Sequence, residues 1–286
     1  MPVTGTTTDL NSLFNEIYEE ALEVAYEETI MAMLVTNYVG TGLAARKVGI
    51  DPSGNVQKVA EGTVYSGGQP WGKDLLATLE PEIYKSQFLL TQTQIDTDPD
   101  DSVARASRTL GREIAQAVDI DLLALFSGFS TDKGSAGGTM TSGIVGAALA
   151  VLQANRAGRP WNIVLHPYQW NPIWVSLGRP DTNKAFLGDI ANQAMRDYAV
   201  SDWLASRWFV SANIAIDSND DAVAGVFSRE ALGLDIRKDF ELDVKYEGEI
   251  AGRGWRLDAE LHAAVAEIRD GFGIAITSDA SEPTGA

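Results

Sequence analysis

Several stretches of this chain combine residue types that could do chemistry. Gly67-Gly-Gln-Pro-Trp-Gly72-Lys73 has nearly the spacing of a phosphate-binding P-loop. Asp74 stands where a Ser or Thr should hold magnesium, and Pro70 and Trp71 occupy a loop whose backbone should cradle phosphate. The run reads as a turn at the tip of a hairpin instead. Gly40-Thr-Gly42-Leu-Ala-Ala45 imitates a dinucleotide fingerprint. That motif must open a helix, and the following Arg46-Lys-Val-Gly-Ile-Asp-Pro-Ser-Gly54 cannot sustain one. Asp96, Asp98, Asp100 and Asp101 form one acidic cluster, and Asp217, Asn219, Asp220 and Asp221 another. Neither has the central Gly and closing Glu of a calcium loop, so they read as a helix cap and a turn. His166, between an apolar run and Pro167, reads as a hydrogen-bonded structural histidine rather than a base. No nucleophile elbow accompanies it. No catalytic, cofactor-binding or metal-ligating residue is assigned, and no cofactor is expected.

Composition narrows the field further. The chain has 286 residues, 45% of them hydrophobic, which suffices for a sizeable core. There are 22 basic and 40 acidic residues, so the formal charge is −18. Sequence-independent grip on nucleic acid needs clustered Lys and Arg, and no such cluster occurs. Cysteine is absent and there are only two histidines, His166 and His262, which removes thiolate chemistry and multi-histidine metal sites. No apolar run reaches the length of a membrane span, and the N-terminus lacks the features of a signal peptide. The expectation is a soluble protein made inside the cell.

The positioning elements come next. Leu10, Leu13, Phe14, Ile17, Tyr18, Ala21, Leu22 and Ala25 form one apolar helical stripe beside a glutamate-rich face. Residues 1–45 carry seven acids and no base. The helix either docks on its own domain or serves as an arm docked on a neighbour. Two extended arms, 43–66 and 75–95, flank the tip Ser66–Gly72 with its tryptophan. A two-stranded hairpin of that kind needs a surface to lie on. Asp98-Pro99-Asp100-Asp101 starts a helix to Ser127, about 43 Å long at 1.5 Å per residue. A Gly/Ser-rich boundary, 129–141, precedes an α/β block. That block has a helical stripe from Ile144 to Leu152, a buried strand 161–166 and a short helix capped by Asn171-Pro172. A loop 178–186 and a mostly helical run 187–205 follow, then strands 208–216 and 222–227 around the turn 217–221. Ile236 to Tyr246 and Trp255 to Val265 alternate on either side of a glycine turn, a long hairpin with one buried face. A last strand, 273–277, precedes a tail expected to fray from Ser278. The seven tryptophans, at 71, 161, 170, 174, 203, 208 and 255, read as core or interface anchors.

This order of parts resembles the major capsid proteins of tailed bacteriophages, the Hong Kong 97-type fold. So do several local runs: Asn15-Glu-Ile-Tyr-Glu-Glu-Ala21, Lys73-Asp-Leu-Leu-Ala-Thr-Leu79, Ile95-Asp-Thr-Asp-Pro-Asp100, Val164-Leu-His-Pro-Tyr-Gln-Trp170, Phe186-Leu-Gly-Asp-Ile-Ala191 and Gly225-Val-Phe-Ser-Arg-Glu-Ala231. The resemblance covers nearly the whole chain. It implies an α+β fold with an N-arm (1–40), an E-loop β-hairpin (41–95), a P-domain of spine helix plus long β-hairpin (96–138 and 233–286) and an α/β A-domain (139–232). It implies a non-enzymatic coat protein, made in the host bacterial cytoplasm and located in the virion capsid. Pentamers and hexamers would form an icosahedral or prolate shell enclosing double-stranded DNA without sequence-specific binding. A portal, a scaffold and in some relatives a decoration protein would be partners. The chain starts almost at the arm helix, so a separate scaffold is expected. Candidates for contacts between subunits are Phe14, Ile17, Glu20, Lys58, Tyr65, Trp71, Lys73, Asp189 and Arg196. Some relatives cross-link an E-loop lysine to an asparagine near the terminal hairpin. Lys58 would suit, but the turn Glu247–Gly254 has no asparagine, so no cross-link is expected.

Two other readings stand beside it. One is an encapsulin, a nanocompartment shell protein of the same fold, to which the arm helix and tryptophan-rich middle are less similar. The other is an α/β enzyme with residues 41–95 as a lid, which would need a polar cluster converging on a cleft.

Overall fold

The alternating run beginning at Leu232 builds the longest strand, and the rest of the molecule is arranged about it. The computed structural model describes residues 30–40, 42, 44–50, 58–63, 72, 74–97, 102–178, 202–247 and 254–284. The described residues begin with a one-turn helix α1 (Met31–Leu34) and strands β1 (Thr36–Val39), β2 (Arg46–Ile50), β3 (Asp74–Leu79) and β4 (Glu82–Thr91). Helices α2 (Gln92–Thr97) and α3 (Ser102–Ala124) follow, and α3 continues as a 3₁₀ turn, Leu125–Gly128. Next come α4 (Ser142–Ala154), β5 (Trp161–Leu165), α5 (Pro167–Gly178), β6 (Asp202–Trp203), β7 (Ser206–Val210) and β8 (Asp221–Ser228). The chain closes with β9 (Leu232–Glu247), β10 (Gly254–Glu267) and β11 (Gly273–Asp279).

Among the described residues the strands form three sheets, ordered β1-β9-β10-β4, β11-β8-β5-β7-β6 and β2-β3. In the first, β9 and β10 pair antiparallel over nearly their whole length, as the period-two pattern predicts. Spine helix α3 covers one face: Leu110 and Ile114 pack with Phe240, Leu257 and Ala259, and Tyr84, Phe88 and Leu90 of β4 join them. In the second sheet β5 is buried along its whole length, as its mostly apolar run Trp-Asn-Ile-Val-Leu predicts, with the buried Asn162 amide donating to the Leu34 carbonyl. Helix α4 packs there through Val145, Ala148, Leu149 and Leu152, and α5 through Trp170, Ile173 and Leu177. Thr141 caps α4, its hydroxyl accepting from the Ile144 N–H at 3.3 Å. A third cluster joins the sheets, with Val118, Leu122, Phe126 and Phe129 from the spine packed among Phe227, Leu232, Leu234 and Ala275.

Several elements differ from the sequence expectations. The second arm is not one run: Glu80-Pro81 divides it, β3 pairs with β2, and β4 pairs with β10. Proline has no N–H to continue a ladder, so the strand turns there. Residues 92–97 are helical because Thr91 and Gln94 form a capping box. The Gln94 side chain accepts from the Thr91 N–H at 3.0 Å, and the Thr91 hydroxyl accepts from the Gln94 N–H at 3.3 Å. The predicted cap at Asp98 lies outside the described residues. Helix α5 starts at Pro167 rather than at Asn171, and Pro172 lies inside it. Residues 202–205 are a short strand and a turn, not the end of a helix. Strands β7 and β8 are not neighbours: β5 lies between them, parallel to β7 and antiparallel to β8. The first of them ends at Val210, and a single bridge, Ile216 to Ala222, closes the 217–221 turn. The tail does not fray at Ser278. Strand β11 runs to Asp279, whose N–H donates to Gly138, and buried Ala280 donates to the Asp220 carbonyl at 2.7 Å.

Candidate functional site

The residues that looked chemical have structural duties. His166 is the N-cap of α5: its Nδ1 accepts from the Tyr168 N–H at 3.1 Å, while Gln169 Oε1 accepts from the His166 N–H at 3.1 Å. Burial lowers the His166 pKa, which favours the neutral ring, and accepting from the Tyr168 N–H selects the tautomer with a bare Nδ1. Asp217 folds its own turn, with Oδ1 accepting from Asn219 N–H at 2.8 Å and Asp221 N–H at 2.9 Å. Those bonds hold its carboxyl below the usual range. Gly40 follows β1 and Ala45 precedes β2, so no helix opens after that glycine pair. Among the described residues no three His, Asp or Glu are placed to hold a metal ion.

What the fold does build is an antiparallel strand pair, β2–β3, whose first residue is pinned to the long sheet. Arg46, the first residue of β2, reaches the fully buried Asp235 of β9, Nε to Oδ2 at 2.8 Å. Arg237 Nε lies 2.8 Å from the same oxygen. Arg46 also donates from Nη2 to the Val39 carbonyl at 2.9 Å and lies over the Tyr38 ring. One buried carboxylate thus ties β1, β2 and β9 together. Strand β3 packs against β9 and β10, and Leu79 is completely buried at its end.

Beyond the root, apolar side chains face solvent. Val39 is 87% exposed, Ile83 62% and Leu75 58%, and Leu89 is also exposed. Along β4, Tyr84, Ser86 and Phe88 turn to the spine helix: the Tyr84 hydroxyl donates to Asp121 at 2.7 Å and that of Ser86 donates to Glu113. Ile83, Lys85, Gln87 and Leu89 therefore point the other way. On that outer face β9 and β10 set like charges opposite each other, Glu241 to Glu260 and Asp243 to Asp258. Direct opposition of this kind is unfavourable. It is offset by Lys238 on Glu241 and Glu260, Lys245 on Asp243, and Arg256 bridging Glu247 and Asp258.

The N-terminal segment joins this frame at one buried group. Asp119 of the spine accepts from the Met31 N–H at 2.9 Å and from the Asn213 amide at 3.0 Å. Asn162 and Arg229 hold the carbonyls of Leu34 and Val35. Of the sequence-predicted contact residues, Lys58 is described and exposed. Phe14, Ile17, Glu20, Tyr65, Trp71, Lys73, Asp189 and Arg196 lie outside the described residues. Sequence reasoning missed Arg46, Asp235 and Asp119; the readable signal was an acid within the apolar run Leu232–Ile236.

No protein-family model and no curated protein matches this chain. Solved structures do. One, of Mycobacterium phage Che8, superposes with a TM-score of 0.70 at 14% identity, covering 87% of this chain and 90% of the other. The capsid of the cyanophage P-SCSP1u gives 0.69 at 12% identity, over 88% and 89%. A virus-like particle from Pyrococcus furiosus gives 0.55 at 10% identity, over 92% and 98%. With its spine helix, long terminal hairpin and central α/β sheet, the chain has the Hong Kong 97-type fold of tailed-bacteriophage major capsid proteins.

Proposed function

We propose that this chain is a major capsid protein of a tailed double-stranded DNA phage, without catalytic activity, that assembles into a closed shell around the genome. The observation that carries the reading is a fold match to phage capsids over nearly the full length of both chains. The pinned hairpin and the exposed apolar residues beside it support it, because such surfaces gain burial only against another molecule. In this reading 1–40 is the N-arm, 41–95 the E-loop, 96–138 with 233–286 the P-domain, and 139–232 the A-domain. Since β4 pairs with β10, the paired strands of the E-loop outside that sheet are β2 and β3. The nine contact candidates, Lys58 among them, lie on the arm, the loop and the A-domain. A net charge of −18 suits a wall along which packaged DNA slides without sticking. Pentamers, hexamers, a separate scaffold and a portal belong to the same proposal. Each contact is modest, about 800–1,600 Å² by the usual sizes of specific interfaces, and closure comes from their number.

Sedimentation of the purified full chain tests this. Capsomer- or shell-sized species are expected, and Val39→Asp shifts them toward monomer while leaving the melting temperature within about 1 °C. A monomer at every concentration overturns the reading. The second reading, a cellular nanocompartment shell, is favoured by the likeness to the Pyrococcus furiosus particle. Neighbouring genes separate the two: portal and terminase for a phage, a cargo enzyme for a compartment.

A further inference from the structure

One flank of the spine helix carries a cleft of about 200 Å³. Ile120, Leu123 and Ala124 of α3 form one wall, and Ile214, Ala215 and Val223 form the other. Two polar residues, Asn213 and Ser127, also line it, and their hydrogen bonds are committed elsewhere. The Asn213 amide donates to Asp119 at 3.0 Å, and its side-chain carbonyl accepts from Gln116 at 3.2 Å. The Ser127 hydroxyl donates to the Ala124 carbonyl at 2.8 Å. The cleft therefore suits hydrocarbon and offers nothing to a charged ligand. An apolar cavity of about 150 Å³ holds one benzene, so this cleft has room for a single large aliphatic side chain and a small neighbour.

The chain itself supplies such a side chain close by. The described residues begin at Ile30, which is exposed. The next N–H, that of Met31, donates to Asp119, the residue before Ile120. Met31 also belongs to the same buried cluster as Leu123 and Ile214, one from each wall of the cleft. Residues 1–29 lie outside the described residues, and their sequence carries the apolar stripe from Leu10 to Ala25. Leu22 is the last large residue of that stripe. The eight steps from Leu22 to Ile30 span about 12 Å as helix and about 26 Å extended. The wall from Ile120 to Ser127 is about 10 Å long, so Leu22 is within reach of all of it. A tether this short gives an effective concentration on the order of mM, which favours the chain's own residue over one arriving from solution.

We propose that this cleft is a socket for Leu22 of the same chain, with Ala25 beside it, which lays the root of the N-terminal segment along the spine helix. The glutamates off the stripe then face water. Phe14 and Ile17 come earlier in the stripe and extend past the socket. In the coat-protein reading they reach a neighbour, and the socket sets the direction in which they leave. The socket itself does not depend on that reading.

The chain has no cysteine, so an introduced pair reports without background. Leu22→Cys with Ile120→Cys, in the full chain under mild oxidation, is expected to form a disulfide, because a seated Leu22 lies within bonding reach of Ile120. Glu20→Cys with Ile120→Cys starts from the opposite side of the stripe and should cross-link about tenfold more slowly or less. A mixture of isotopically labelled and unlabelled protein shows whose residue is bound. Bridges within one isotope support the socket. Bridges between labelled and unlabelled chains overturn it, with a second copy as the occupant. Equal rates for the two pairs, or no bridge, overturn it as well. Should the cysteine pairs fail to fold, Leu22→Asp decides, since it leaves the cleft walls untouched. Cleavage after Glu16 to Glu28 by a glutamate-specific protease should quicken by about tenfold in that variant, and an unchanged rate overturns the socket. The socket lies within one chain, so its failure is distinct from failure to form shells.

Discussion

Arg46→Ala probes the hairpin root without breaking the core. The substitution removes the 2.8 Å contact to Asp235 and the 2.9 Å donation to the Val39 carbonyl. Asp235 keeps Arg237 at 2.8 Å, so its charge stays paired. A hydrogen bond to a charged group is worth about 1.5–3 kcal/mol, and the Arg46 side chain is 28% exposed, so we expect a cost of about 2 kcal/mol. At about 2–4 °C per kcal/mol for a chain of this size, the melting temperature should fall by about 4 °C or somewhat more. Asp235→Asn is different in kind. It leaves two guanidinium groups around a buried site with no counter-charge, and should cost about 3–5 kcal/mol. Calorimetry of unassembled protein gives the ranking, and light scattering with electron microscopy gives the assembly yield. Arg46→Ala should remain folded yet assemble poorly, because each copy presents a hairpin whose root has loosened. Equal costs for the two variants, or full assembly by Arg46→Ala, would refute the view that one buried carboxylate sets the hairpin's direction.

Other substitutions report on the frame. Gly225→Ala places a Cβ 2.6 Å from the Phe126 ring and should cost about 1–3 kcal/mol by denaturant titration. Asp119→Ala strands the Met31 N–H and the Asn213 amide, and should destabilise by about 2–4 kcal/mol with faster proteolysis near residue 30. His166 has its pKa lowered by burial, so its contribution is present above about pH 6.5 and is lost as pH falls below that. His166→Asn should keep the cap and flatten the acid limb of the stability profile, whereas His166→Ala should cost about 1 kcal/mol at neutral pH. Truncation after Thr277 removes Ser278, whose hydroxyl accepts from Gln169 at 2.9 Å, and buried Ala280; it should lower the melting temperature, while truncation after Glu282 should not.

Elements with a local signature were legible in the sequence. The β9–β10 hairpin was readable because Phe240, Leu242 and Val244 turn inward in alternation with charged residues, and β5 because five buried positions run unbroken. The spine helix was readable from its stripe Leu110, Ile114, Val118 and Leu122, all buried. Pairing was not, because partner choice is non-local: nothing in residues 82–91 says that they leave β3's hairpin for β10. The buried polar hubs were hidden for the same reason. Arg46 and Asp235 lie 189 positions apart, and Met31 and Asp119 lie 88 apart. Two local signals went unread although they were present. Thr91-Gln-Thr-Gln94 is a capping box inside what looked like a strand, and His166-Pro-Tyr-Gln169 is a helix start inside what looked like a strand end.

Electron microscopy of the purified full-length chain is the most direct test of whether this fold serves to build a wall. Closed particles, tubes or rings of five and six subunits are the outcome that the proposed coat-protein role predicts. A field of dispersed single molecules, unchanged by concentration and salt, would contradict it.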